Sequence, residues 1–388
     1  MTSLGVAASC TSRAGPELAF ERACDGSGLS YCDVGEVACQ AALHTFVACV
    51  LERDSGPRPA VVFGDDLASV ARGSKPAPGE IIPSAMVPAL ALANLTNTGT
   101  PSGSPSPSAT FVIYFPDRHE IGIAASPVPR DTPFLVRSLS RMYAHALQDQ
   151  EEPLFARQAR IGTDVDRTHG WVAVLAGEGE LAADFVELAI AKRSFWQGTA
   201  ATAGTLGEAG VQLDLRTVAR DLVPFGHDAV STAWSLGQTT AVRELLEMPP
   251  ATRALLDPYN PGPSDPAPLP DALSEVPAGF ALAGESVLGA AAVEVFVARN
   301  SPGARSEGLL RRDRLWAFER AEPQALAFVW VLDWEVASQG FDAAVRAQPE
   351  RPWQLSGAKT QVLVGSSDRE VLQAWAQAAD TYLRGLSK

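Results

Sequence analysis

Residues 141–150 read RMYAHALQDQ and form the centre of a helical pattern that starts near Thr132. Apolar side chains recur there at i, i+4, i+7 and i+11, and they are Leu135, Leu139, Met142 and Ala146. This spacing places them on one face of an α-helix. Pro133 suits the first turn, where its missing N–H is not needed. The sequence therefore predicts a long helix with one buried face.

A second helix is predicted from Asp164 to about Ala191, and it carries a carboxylate on its apolar stripe. Glu178 lies three residues after Leu175 and three residues before Leu181. The helical period therefore turns Glu178 toward the interior. A buried carboxylate needs a cation, a metal ion or hydrogen-bond donors as partners.

His145 and Arg141 lie one turn apart on the first helix, so both side chains can point toward Glu178. We therefore expect the two helices to bring Arg141, His145 and Glu178 to one interior point. The alternative is that each of the three is satisfied separately, at the surface or by the backbone.

The rest of the chain predicts an α+β architecture. The upstream elements are a helix over Val37–Leu51, a strand over Ala60–Phe63 and a hairpin of Thr110–Phe115 and Glu120–Ala124. The downstream elements are a hairpin of Arg314–Phe318 and Leu326–Leu332, a helix near Ala337–Ala347, a strand over Gln361–Gly365 and a last helix from Asp368 to about Leu383. We expect a unit in which a β-hairpin precedes the two helices, followed by a small C-terminal α+β module.

Composition divides the chain into four segments. Residues 1–55 hold all the cysteines and the first helix, and residues 56–256 hold the hairpin and the helix pair. Residues 257–275 are rich in proline and are predicted to be a linker, and residues 276–388 form the C-terminal module. Thr96–Ser108 is a further irregular connection, rich in Gly, Pro, Ser and Thr.

The five cysteines all lie in the first 49 residues, at Cys10, Cys24, Cys32, Cys39 and Cys49. This clustering favours a local disulfide framework in an oxidising compartment, with buried free thiols as the alternative. Cys10 follows small residues that suit a lipid anchor, although the nine residues before it do not form a complete signal. We expect an extracytoplasmic protein, at the periplasm or cell surface, with Cys10 as a candidate lipidation site.

The charge and hydropathy of the chain exclude two classes of partner. A net charge of −14 disfavours nucleic acid and anionic membrane surfaces, because both require a basic face. No apolar stretch approaches the roughly 20 residues of a membrane span. We expect neither a nucleic-acid partner nor a membrane-spanning segment.

Residues 141–150 resemble the zinc helix of a family of bacterial zinc metallopeptidases that reads H-E-L-T-H-A-L-Q-D-Q. In that gluzincin-like family the third zinc ligand is the glutamate of an E-G-D/E-A motif about thirty residues further on. Glu178-Gly179-Glu180-Leu181 stands at the corresponding place. The hairpin segment Phe111–Asp117 and the segment Asp313–Trp334 are similar to other parts of the family, and the resemblance covers roughly residues 35–385.

Two departures from the family pattern argue against peptide hydrolysis. Arg141 stands at the first zinc-ligating histidine, and a guanidinium does not coordinate metal. Met142 stands at the general base, and a thioether cannot take a proton from a zinc-bound water. Only His145 and Glu178 remain of the expected set. We hypothesise that the Arg141 guanidinium replaces the metal ion and pairs with Glu178, and that Met142 packs in the core.

The resemblance therefore implies a degenerate member of the family, a pseudoprotease that needs no cofactor. Such a protein would be an extracytoplasmic binding or assembly module, and its old active-site cleft, between the hairpin and the zinc-type helix, would hold a peptide or protein. One alternative is a metal-dependent hydrolase with a rebuilt site, using His145, Glu178 and a further ligand such as His169 or Asp149. His169 itself is expected to lie at the surface near the helix start. Another alternative is a purely structural envelope protein whose cleft is filled.

Overall fold

The structure is a computed structural model, and it describes residues 24–71, 73, 82–96, 111–124, 130–193, 213–262, 269, 273, 276–347, 353–356 and 359–386. The α-helices are α1 (Val37–Val50), α2 (Leu67–Val70), α3 (Val87–Leu92), α4 (Pro133–Glu151), α5 (Leu154–Ile161), α6 (Val165–Ile190), α7 (Val218–Asp221), α8 (Val223–Glu247), α9 (Thr252–Leu256), α10 (Gly289–Asn300), α11 (Gln339–Arg346) and α12 (Leu372–Leu386). The strands are β1 (Ala60–Gly64), β2 (Phe111–Phe115), β3 (Glu120–Ala124), β4 (Ala281–Ser286), β5 (Leu309–Arg320), β6 (Ala325–Val336), β7 (Trp353–Ser356) and β8 (Thr360–Ser366).

The α+β class is confirmed, and each helix and strand predicted from the sequence is present. The predicted upstream hairpin is the antiparallel pair β2 and β3, in which Phe115 pairs with Glu120. Strand β1 adds to β3 in parallel and completes a three-stranded sheet of order β1-β3-β2. The elements additional to the predicted set are helices α2, α3, α5, α7, α8, α9 and α10 and strands β4 and β7.

Helices α4 and α6 begin where the sequence predicts, because a side chain caps each first turn. The Thr132 hydroxyl accepts a hydrogen bond from the backbone N–H of Leu135, and Pro133 occupies the first helical position. The Asp164 carboxylate accepts a hydrogen bond from the backbone N–H of Arg167. The two helices pack on each other, and α1 lies against both. Their apolar faces therefore form one side of the main core.

Helices α6 and α8 cross at a contact between backbones. A Cβ atom added at Gly177 of α6 would lie 2.4 Å from the carbonyl carbon of Gly226 in α8. A Cβ added at Gly226 would lie 2.0 Å from the carbonyl oxygen of Ala173. The crossing therefore requires glycine on both helices, because any side chain would separate them.

The C-terminal part is an antiparallel sheet of order β4-β5-β6-β8-β7. Alternation along its strands separates two faces. One face carries Trp316 and Val329 and packs under Trp375 of α12 in a small core. The other face carries Phe328 and Trp330 and joins the main core, together with α10 and α11.

The predicted boundary at residues 257–275 falls partly outside the described residues. The main core nevertheless contains Trp171 of α6 and Leu90 of α3 together with Phe296 of α10 and Trp330 of β6. Apolar packing therefore continues from residues before the predicted linker to residues after it. The division of the chain into separate domains stays a prediction.

Two disulfides join the described cysteines, Cys24 to Cys49 and Cys32 to Cys39. The predicted local disulfide framework is thus present, and it is typical of an oxidising environment. Cys10 lies outside the described residues. Within the described ranges, no helix has both the length and the apolar character that crossing a bilayer requires.

Two buried aspartates meet at the N-terminus of α10. The Asp313 carboxylate accepts hydrogen bonds from the backbone N–H groups of Leu288 and Gly289, and the Asp166 carboxylate accepts one from the N–H of Thr252. Gly289 has a φ of +77°, and a Cβ there would lie 1.7 Å from an Asp166 oxygen. Burial raises the pKa of Asp166 to about 7 and that of Asp313 to about 6.

The raised pKa of Asp166 makes stability depend on pH. A folded-state pKa above the unfolded value adds stability that is complete below pH 4 and is lost as the pH rises through about 7. Between pH 5 and pH 6.5, we expect the free energy of unfolding of the unmodified protein to fall by about 2 kcal/mol relative to that of the Asp166→Asn variant. Each pH unit between the unfolded-state and folded-state pKa values changes this free energy by about 1.4 kcal/mol. Urea denaturation at both pH values measures this difference. Equal pH dependence of parent and variant, as expected for the exposed control Asp131→Asn, would contradict the prediction.

Candidate functional site

Glu178 lies in the middle of α6 and is buried, as the sequence predicts, with 3% of its side chain exposed. Its two carboxylate oxygens accept hydrogen bonds from Nη2 of Arg53, both at 2.8 Å. The side-chain amide of Gln148 in α4 donates a further hydrogen bond to the same carboxylate. Glu178 is therefore fully paired inside the protein, by a cation and by an amide.

The prediction that Arg141 pairs with Glu178 is wrong. The Arg141 guanidinium instead donates to Glu180 at 2.5 Å and to the hydroxyl of Ser138 at 3.0 Å. Glu180 lies two residues after Glu178, about 200° around the helix axis. Arg141 therefore faces the part-exposed rim of the α4–α6 contact, while Glu178 faces the core. Arg137 also contacts Glu180 at this rim.

The cation beside Glu178 comes from the N-terminal segment, 125 residues earlier in the chain. Arg53 follows the end of α1 and has 2% of its side chain exposed. It also contacts Glu151 of α4. Burial disfavours its charge, but the carboxylates of Glu178 and Glu151 outweigh this effect, so the pKa of Arg53 is raised. The guanidinium therefore stays charged and fixed between two acids.

The turn before Arg53 is held in place by α8. Glu52 adopts a left-handed φ of +49°, which directs the chain back toward the helix pair. Thr239 donates a hydrogen bond to the Glu52 carboxylate, and Arg243 donates one to the Glu52 carbonyl at 2.6 Å. Cys49, one turn earlier, is fixed by its disulfide to Cys24. The position of Arg53 is thus set by α1, α8 and a disulfide together.

His145 joins this network through Gln148. Its Nδ1 lies 2.9 Å from the side-chain oxygen of Gln148, whose amide nitrogen donates to Glu178 and to the carbonyl of Leu175. Because the amide nitrogen faces Glu178, the amide oxygen must accept from Nδ1, which assigns the proton to that nitrogen. A Cβ added at Gly179 would lie 3.5 Å from the other ring nitrogen, Nε2. Burial lowers the pKa of His145, which favours the neutral ring.

Met142 is partly buried and packs against the main core. The prediction that it serves in core packing is therefore confirmed. Its neighbour along the sequence, Tyr143, is fully buried and lies edge-on to the ring of His44. This stretch of α4 is thus anchored by apolar and aromatic contacts.

His169 and Asp149, the further ligands of the rebuilt-site alternative, lie elsewhere. His169 was expected at the surface, but it is 1% exposed, its ring hydrogen-bonds to the backbone of Leu215, and burial lowers its pKa to about 4. It precedes Glu178 by nine residues, about 13 Å along the helix axis. The Asp149 carboxylate accepts from the Tyr114 hydroxyl and from the backbone N–H of Leu154, both at 2.8 Å. Within the described part of the chain, no three His, Cys, Asp or Glu side chains are grouped so that they could hold a metal ion.

The residues at this site do not fit a zinc ion. Zinc of the metallopeptidase type needs two histidines and a free carboxylate oxygen. Here both oxygens of Glu178 face the Arg53 guanidinium, and Arg141 stands at the first histidine position. A divalent cation placed beside Glu178 would meet a fixed positive charge, so the ion pair and the metal exclude each other.

Sequence reasoning predicts that His145 and Glu178 lie together, but it misses both Gln148, which links them, and Arg53. Arg53 has no helical periodicity of its own, since it follows the last residue of α1. The remaining signal was the burial of Glu178, which requires a cation without naming it. A scan against protein-family models and searches of curated proteins and of solved structures each found no match to this chain.

Proposed function

We propose that the chain is a non-catalytic, metallopeptidase-like protein, a pseudoprotease that serves as an extracytoplasmic binding or assembly module. The observation that carries this proposal is the buried ion pair of Arg53 and Glu178. It holds the glutamate that would bind zinc, and Met142 provides no general base. A peptide or protein partner would contact the part-exposed rim of the α4–α6 contact, where Arg137, Arg141 and Glu180 lie.

The compartment belongs to the same proposal. The disulfides Cys24–Cys49 and Cys32–Cys39 favour an oxidising milieu, and the periplasm or the cell surface are the specific places proposed. Lipidation of Cys10 would attach the chain to a membrane surface there. The test is the mass of the mature protein recovered from the envelope fraction, which would include a lipid only if Cys10 is modified.

The competing proposal is a metal-dependent hydrolase that uses His145 and Glu178, with His169 as a further ligand. In its favour, the proton of the neutral His145 ring lies on Nδ1, which donates to Gln148, so Nε2 carries the lone pair that a metal ion would need. Against it, Glu178 has both oxygens bonded to Arg53. Stoichiometric zinc in the purified parent protein, lost in the His145→Ala variant, would favour the hydrolase and overturn the pseudoprotease.

Restoration of a zinc site tests the metallopeptidase-like geometry. The double variant Arg141→His, Met142→Glu supplies the missing ligand and the base, but Arg53 remains beside Glu178. We expect this variant to bind no stoichiometric zinc, and we expect zinc binding to appear when Arg53→Ala is added. Calorimetric titration with zinc measures both variants.

The matched control adds Arg58→Ala instead of Arg53→Ala. Arg58 is a neighbouring arginine whose guanidinium donates to the carbonyl of Val37 at an exposed position. We expect this variant to behave as the double variant does. Failure of the Arg53→Ala triple variant to bind zinc, although it is folded, would show that the two helices do not have the metallopeptidase-like arrangement.

A further inference from the structure

A cavity of about 430 Å³ lies between α9, α10 and the first residues of β5. Arg141, Met142, His145 and Glu178 do not line it. A second, more open cavity of about 650 Å³ adjoins it and shares Arg305 and Glu307 with it. The volume of the first cavity falls in the range that binds small organic molecules.

Apolar side chains form much of its wall. They include Val293 of α10, Leu256 of α9 and Trp334 of β6. The indole comes close because residue 308 is glycine: a Cβ there would lie 2.8 Å from Cζ3 of Trp334. Trp334 is 2% exposed, and its indole N–H has no hydrogen-bond partner in the described structure. The wall therefore offers an aromatic surface.

The charges that line the cavity are more acidic than basic. The carboxylates are those of Asp257, Glu294 and Glu307, and the guanidiniums are those of Arg253 and Arg305. All three side-chain nitrogens of Arg253 already donate, to the carbonyls of Asn260 and Leu310 and to the carboxylate of Glu335. Arg253 therefore has no side-chain nitrogen left to bind a ligand. The remaining charges of the wall are mainly negative and favour a positively charged ligand.

Glu294 is a partly buried acidic group in the wall of the cavity. It projects from α10 and accepts a hydrogen bond from the hydroxyl of Ser306. Burial raises its pKa, and neither this hydrogen bond nor the charge of Arg305 reverses the effect. A cation placed next to Glu294 would therefore stabilise its ionised form further, in addition to the contribution of Arg305.

We propose that this cavity binds an organic primary amine with an apolar body, whose ammonium group pairs with Glu294 and whose apolar part packs on Val293 and Trp334. An anionic ligand would meet three carboxylates and two guanidiniums, of which Arg253 is already fully hydrogen-bonded, and a neutral apolar ligand would leave Glu294 desolvated. The site shares no residue with the proposed pseudoprotease cleft, so the two proposals stand independently.

The test uses probes of one shape and different charge. The protein is titrated with 2-phenylethylamine, with neutral 2-phenylethanol and with anionic 3-phenylpropionate, and the indole N–H signal of Trp334 is followed by NMR. That signal is assigned with the Trp334→Phe variant. We expect the amine to bind with a Kd on the order of 1 mM or below, and each of the other probes to bind at least tenfold more weakly.

Two variants and one control locate the site. Glu294→Gln keeps the acceptor for Ser306 but removes the charge, and it should weaken amine binding at least tenfold. Ala290→Phe should fill the cavity and abolish binding. Glu244→Gln removes an exposed carboxylate on α8 and should change nothing. We also expect amine affinity to rise from pH 5 to pH 8, because the ammonium group requires ionised Glu294.

A titration with peptides distinguishes a free small amine from the N-terminus of a peptide as the ligand. The peptide Phe-Ala-Ala-amide carries the same amine at a peptide N-terminus, and its N-acetylated form lacks it. Tighter binding of the free peptide than of 2-phenylethylamine would identify a peptide N-terminus, and binding of the small amine alone would identify a free amine. Equal affinity for the anionic probe, or no perturbation of Trp334 by any amine, would overturn the proposal.

Discussion

Replacing Arg53 by methionine is expected to destabilise the protein by about 3–5 kcal/mol, because the change leaves the buried carboxylate of Glu178 without its cation. The methionine keeps much of the apolar stem, so the loss reports mainly on the charge. Gln148 would remain as a donor to Glu178, but an amide does not neutralise a carboxylate. The free energy of unfolding from urea denaturation measures the effect.

Two further variants distinguish the loss of the buried ion pair from a general destabilising effect of replacing an arginine by methionine. Arg160→Met removes an arginine that is 65% exposed and pairs with Glu152, and this change should cost less than about 1 kcal/mol. The double variant Arg53→Met, Glu178→Gln removes both charges and should be more stable than Arg53→Met alone. Equal losses in Arg53→Met and Arg160→Met would mean that the buried pair contributes no more than a surface pair.

Two glycines that flank Glu178 should respond to alanine in opposite directions. Gly177→Ala is expected to cost at least about 3 kcal/mol, because its Cβ would lie 2.4 Å from the backbone of Gly226 and force α6 and α8 apart. Gly179→Ala is expected to be neutral or to stabilise by up to about 1 kcal/mol, because alanine favours the helix. The nearest atom to its Cβ lies at 3.5 Å, which is ordinary contact.

The two variants control each other. Both glycines lie in the middle of the same helix, so the gain in helix propensity is the same, and the difference between them reports the helix crossing alone. Thermal unfolding and urea denaturation both measure it. Similar stability of Gly177→Ala and Gly179→Ala would show that the crossing of α6 and α8 is looser than the structure has it.

The sequence predicts the helix pair well because the signals that define it are local. Thr132 and Pro133 start α4, Asp164 starts α6, and the apolar period between them sets which faces are buried. The burial of Glu178 follows from the same period. Each of these inferences needs only a few consecutive residues.

The partner of Glu178 could not be predicted from such local signals. Arg141 is a cation one helix away at a suitable spacing, whereas Arg53 lies 125 residues earlier. Glu178 and Glu180 point in different directions from α6, so each forms an ion pair with a different arginine. Which arginine that is depends on how α4 and α6 are rotated about their axes. His169 was misplaced for a related reason, because its hydrogen-bond partner is the backbone of Leu215, 46 residues later in the chain.

Helix α8 was missed because its sequence carries no clear apolar stripe. It contains glycines, and it has a kink at Gln238, where the backbone is not helical (φ +53°, ψ −144°). Its role is nevertheless large, since Gly226 permits the crossing with α6, and Thr239 and Arg243 hold Glu52. These roles depend on contacts between distant segments, which a single-sequence pattern does not encode.

The origin of the Arg53 guanidinium limits how this chain can be divided for study. A fragment beginning at residue 56 would keep α4 and α6 but would expose the apolar surfaces that α1 covers. It would also leave the buried carboxylate of Glu178 without the Arg53 cation, with the side-chain amide of Gln148 in α4 as its remaining donor. Residues 24–55 are therefore an internal part of the helical unit, and expression of shorter pieces should begin before Cys24 so that its bond to Cys49 can form.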